Sequence, residues 1–123
     1  MVVSYNPGYQ ALVKDLKPST RQRFVALEFG YPVAAVEAEI VERESGIEPG
    51  VARQLADIAA RSRALKGHGL DEGISTRMLV QAARLMADGV PAHAACRVAL
   101  VAAASDDGDV CGALQGLVDA HFA

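Results

Sequence analysis

At 123 residues the chain is long enough for one domain or two small lobes. Apolar residues make up 51% of it but aromatics only 5%, with no tryptophan. That composition favours closely packed small helices and argues against a β-sandwich. A net charge of −3 supplies no basic field for nucleic-acid binding. Cys96 and Cys111 match no metal spacing and suit a reducing cytoplasm better than a disulfide scaffold. No run has the length of a membrane span, and no signal-peptide pattern opens the chain.

Met1–Tyr5 reads as a short strand closed by Asn6-Pro7-Gly8. Asn6 either sits at a crevice edge, where α/β sheets bind ligands, or simply belongs to a good turn. Pro18-Ser19-Thr20 can open a one- or two-turn helix carrying Arg21 and Arg23. Two residues apart, these arginines point in different directions on a helix. Phe24–Phe29 alternates like a second strand. Val33–Glu44 is an amphipathic helix, with Val33, Val36, Ile40 and Val41 expected inward, Glu37, Glu42 and Arg43 outward, and Gly46 as its stop.

Pro49 starts the next helix, whose stripe is Val51, Leu55, Ile58, Ala59 and Leu65, with Arg53, Arg61 and Arg63 off it. A glycine-rich loop holding a lone His68 follows, with no second metal ligand in view. Ser75 then caps a helix to about Asp88, with Leu79, Ala83 and Met86 inward. Arg77 lies in its first turn, where the helix already carries partial positive charge. Either it is a solvated arginine or it meets an anion such as a phosphate. Pro91–Ala104 is an alanine-rich helix with Cys96, Ala99, Leu100 and Ala103 as its packing face and His93 off that face in solvent. Asp106, Asp107 and Asp109 lack the glutamate that completes a calcium loop and read as a helix start. Val110–Phe122 is the last helix, with Val110, Leu114, Leu117 and Val118 inward. No Ser/His/Asp or Cys/His set suggests an independent enzyme.

Several separated stretches share one resemblance. Ser4-Tyr5-Asn6-Pro7-Gly8-Tyr9-Gln10, Leu16-Lys17-Pro18-Ser19-Thr20-Arg21-Gln22-Arg23-Phe24, Tyr31-Pro32, Glu72-Gly73-Ile74-Ser75-Thr76-Arg77 and Asp106-Asp107 resemble the C-terminal half of CbbQ/NirQ/NorQ proteins, in the MoxR group of AAA+ ATPases. The resemblance implies a mainly α fold: a helical lid of about four helices at 47–123, preceded at 1–46 by a remnant of the α/β core with two short strands. The hinge is expected at Ser45–Gly50. By resemblance Asn6 is the sensor-1 residue, Arg23 (or its rival Arg21) the arginine finger, and Arg77 the sensor-2 residue.

The parent would bind ATP and Mg²⁺ in a ring and remodel a metalloenzyme client, Rubisco or a nitric oxide or nitrite reductase. This chain contains no G-x-x-x-x-G-K-[ST] loop and no strand ending in an acidic pair. Hence neither tight nucleotide binding nor stand-alone ATP hydrolysis is expected of it. The strand that would separate Met1–Tyr5 from Phe24–Phe29 is also missing. Those two segments are then expected to pair with each other or with a second copy, a homodimer being preferred, or to leave Met1–Tyr5 disordered. The alternative function is a non-catalytic helical assembly or partner-binding module. A cytoplasmic location and no nucleic-acid or membrane partner complete the expectations.

Overall fold

A computed structural model describes residues 2–4, 17–67, 70 and 72–122. Contacts divide the chain into two units, Met1–Gly30 and Tyr31–Ala123. In the first, Pro18 begins a single helical turn, α1 (Pro18–Arg21), from an extended Lys17. Beyond it Phe24–Phe29 forms no strand, and neither does Val2–Ser4. Val25 is 91% and Phe29 89% exposed. The expected pair of short strands is therefore absent among the described residues. The reason is physical: alternation supplies a face, but a strand exists only with a neighbour to take its N–H and C=O groups.

The second unit is a helical lobe. Its elements are α2 (Ala34–Ser45), α3 (Pro49–Arg63), α4 (Thr76–Ala87), α5 (Ala92–Cys96), a π-helical segment (Arg97–Val101), α6 (Ala102–Ala104) and α7 (Gly108–His121). Ends are set locally. Gly46 adopts φ 73° and donates its N–H to Glu42, closing α2. The Ser75 hydroxyl accepts from the Met78 amide, and Asp107 Oδ1 accepts from Asp109 and Val110, opening α4 and α7. No calcium-type role is needed for those aspartates.

Packing runs α2 on α3 and α4, α4 on α5 and the π segment, and α7 on α3 and the π segment. Leu55, Ile58, Ile74, Leu79, Leu100, Leu114 and Val118 fill the core. Small residues (Ala52, Ala56, Ala59, Ala82, Ala83 and Ala95) let the helices approach closely. The unit opens at Tyr31, and α2 packs within it.

Two faces differ from expectation. Val33, just before α2, is 70% exposed and Val36 on it also faces outward, whereas Glu37, Ala38 and Val41 are buried. A buried carboxylate with a partner overrides the apolar periodicity, which registers hydrophobicity and not pairing. On the alanine-rich helix, Cys96, Ala99 and Leu100 are buried as expected, but Ala103 is exposed and the half-buried Ala104 packs against the core instead. The π segment adds a residue to one turn, so the face slips by about one position downstream of it.

Candidate functional site

The residues that open α4 have unusual surroundings. Gly73 is buried against Arg63: a Cβ there would lie 2.5 Å from Arg63 Cγ and 3.0 Å from its Cα. Only glycine lets the backbone pass this close. Ile74 follows, fully buried, with both backbone groups satisfied by α3. Its N–H donates to the Ser62 hydroxyl at 3.1 Å, and that hydroxyl donates to the Ala59 carbonyl. Its carbonyl accepts from Arg63 Nε and Nη2 at 3.2 and 2.9 Å.

Arg63 carries the network further. Nη1 and Nη2 donate to Glu37 Oε1 and Oε2 at 2.9 and 2.7 Å, a bidentate pair. The Tyr31 ring covers the guanidinium, 3.8 Å from Cζ to the ring centroid. Glu37 takes one more bond, from the Thr76 hydroxyl at 2.6 Å. Its carboxylate is fully buried, so these bonds replace water. Among the described residues no buried side-chain nitrogen or oxygen lacks a partner.

One residue further on, Arg77 is exposed, and among the described residues it has no carboxylate within ion-pair distance. A cation with no carboxylate partner among the described residues thus stands at the first turn of a helix, next to residues Ile74 and Thr76 tied to Ser62, Arg63 and Glu37. Such a side chain can reach an anion without first ordering its backbone.

The other expected site residues lie elsewhere. Arg21 and Arg23 are exposed in the first unit, also with no carboxylate partner among the described residues. Asn6 and His68 lie outside the described residues. No group of three His, Cys, Asp or Glu able to hold a metal occurs among the described residues. Cys96 is buried, which pushes its thiol up to about 12 and makes it a poor nucleophile.

The remaining histidines secure the end of the lobe. His93, expected in solvent, is half-exposed. Its Nε2 meets the Phe122 carbonyl and its Nδ1 lies 3.2 Å from Asp119 Oδ1. His121 bonds the Leu117 carbonyl at 2.7 Å and Asp57 Oδ2 at 2.5 Å, joining α7 to α3. Hydrogen bonds from His121 and then Arg61 hold the Asp57 carboxyl below its ordinary value.

Residues 37–121 match the CbbQ/NirQ/NorQ C-terminal family. The chain belongs to the CbbQ/NirQ/NorQ family. The matched span begins at Glu37 and takes in Ser62, Arg63, the 72–77 segment and the helices up to His121. Over all of its residues the chain is 52% identical to protein CbbQ of Hydrogenophilus thermoluteolus, covering 46% of that protein. It is 53% identical to the denitrification regulatory protein NirQ of Pseudomonas aeruginosa, covering 47% of it. Against protein NorQ of Paracoccus denitrificans it is 48% identical over 99% of its length, covering 45% of that protein. The chain thus spans about half the length of the curated relatives it matches.

Sequence reasoning singled out Arg77 from its helix position and missed the network behind it. Glu37, Ser62, Arg63 and Thr76 look like surface residues in their own helices. The available signal was Gly73 beside a buried Ile74, a spacing that needs something packed against the glycine.

Proposed function

We propose that this chain is the C-terminal part of an AAA+ ATPase that remodels or activates a metalloenzyme, with Arg77 as its nucleotide-sensing arginine. The observation that carries the reading is the exposed guanidinium of Arg77, next to a loop fixed by Gly73, Ile74 and Thr76. Family membership supports the parent class. The relatives' names, one of them a denitrification regulatory protein, support a client of the nitric oxide or nitrite reductase type. The resemblance implies Rubisco as the alternative client.

In the assembled parent, 1–46 completes the α/β core and 47–123 forms the lid. Asn6 orients the attacking water, and Arg23, with Arg21 as rival, reaches a neighbouring subunit's nucleotide. ATP and Mg²⁺ are held by the phosphate loop and acidic pair of the preceding half, which this chain does not carry. The isolated chain self-associates but does not turn over ATP.

The test is addition of the N-terminal half in trans, with nucleotide-analogue binding as readout. Rescue that is lost in Arg77→Ala supports the sensor reading. A second reading, a helical assembly module that never meets nucleotide, draws on the exposed Val25, Leu27, Phe29 and Val33. Binding of the added half that is indifferent to Arg77 would favour it.

A further inference from the structure

We propose that Glu37 is a positioning residue for Arg77, acting through Thr76 and Arg63. This rests on the reading of Arg77 as a nucleotide-facing arginine. Glu37 sits on α2, and its two carboxylate oxygens receive three hydrogen bonds. Two come from Arg63, which uses Nη2 and Nε to hold the Ile74 carbonyl as well. The third comes from Thr76, the first residue of α4 and the chain neighbour of Arg77. One carboxylate thereby fixes both the loop before α4 and its first turn.

The cluster has features that simple helix packing does not require. Apolar contacts among Ile58, Ile74 and Leu79 already join α3 to α4. A buried ion pair adds little net stability over an apolar replacement of the same shape. It does add direction, because a bidentate fork and a hydroxyl bond tolerate little displacement. What they direct is the backbone from Gly73 to Thr76. Arg77 departs from the last of these residues.

The experiment uses the 123-residue chain. Thr76→Val keeps the shape of the side chain and removes the bond to Glu37, Thr76→Ser restores the hydroxyl, and Glu37→Gln removes the charge. Amide hydrogen exchange is followed at Ile74 and Met78, with Ile58 and Leu114 as reporters of the core. We expect Thr76→Val to speed exchange at Ile74 and Met78 by about tenfold, the size expected for losing a bond to a charged group. Ile58 and Leu114 stay unchanged, and Thr76→Ser behaves as wild type. Glu37→Gln follows the same local pattern. Should it not fold, the two Thr76 variants decide the matter alone.

An equal rise at all four amides, no change at Ile74 and Met78, or failure of Thr76→Ser to restore them overturns the proposal. A second arm adds ATP together with the N-terminal half in trans and follows the guanidinium nitrogen signal of Arg77. Several-fold weaker ATP response in Thr76→Val than in wild type is expected, and equal response overturns the positioning role. If ATP leaves the wild-type Arg77 signal unmoved, the nucleotide reading fails, and the exchange data still decide what Glu37 holds.

Discussion

Arg63 and Glu37 meet through two parallel hydrogen bonds of 2.9 and 2.7 Å, the carboxylate fully buried and the arginine side chain 13% exposed. Each is the other's principal neutralising partner. Removing either leaves a desolvated charge behind, which costs about 3–5 kcal/mol. Arg63→Ala and Glu37→Ala should therefore each lower the denaturant midpoint strongly. The double variant should be less destabilised than the sum of the two. Urea unfolding followed by circular dichroism, arranged as a double-mutant cycle, measures this.

Gly73 offers a separate prediction. Its missing side chain leaves room for Arg63, with both side-chain and backbone atoms in the way of any Cβ. Gly73→Ala should cost about 1–3 kcal/mol through overpacking. Because Arg63 must shift, its bonds to Ile74 should loosen too. A thermal melt unchanged from wild type would show that the loop is free to move aside.

Arg77 should behave in the opposite way. Exposed and without a carboxylate among the described residues, it contributes little to folding. Arg77→Ala should change stability by less than about 0.5 kcal/mol. Nucleotide-analogue binding in the presence of the added N-terminal half should nonetheless fall. A variant that unfolds would mean the arginine is structural.

The bond between His121 and Asp57 gives an acid dependence. The folded-state value of Asp57 is depressed, first by His121 and then by Arg61. Its contribution is therefore present above the ordinary value of 3.8 and is lost as pH falls below that towards the folded value. The Asp57 side chain is 47% exposed, so screening keeps the effect to at most about 1 kcal/mol. The gap in Tm between wild type and Asp57→Asn should be widest above that pH and close in stronger acid.

How much could be read in advance depended on how local each cause was. Gly46, Ser75 and Asp107 ended or opened helices as their residue types require, because a cap needs only its own few neighbours. Leu55, Ile58, Leu79, Leu114 and Val118 faced inward as their spacing demanded. Glu37 was misread because its partner lies 26 residues away on another helix. Phe24–Phe29 was misread because its alternation presumes a neighbouring strand that the described residues do not supply. At the candidate site, Arg77 stood out through its conflict with the helix dipole. The groups that fix its backbone gave no such conflict, since each is an ordinary polar residue until the fold assembles them.

The π-helical turn at Arg97–Val101 bears on how this lobe tolerates changes in chain length. One residue there is surplus to the α-helical pitch. Deleting Val98, which is exposed, would return the segment to a continuous α-helix from Ala92 while keeping Leu100 and the residues beyond it in their present rotational phase. A one-residue loss elsewhere in the same helix would swing its downstream half by about 100° and expose the core. This single turn is where the lobe can be shortened and still close.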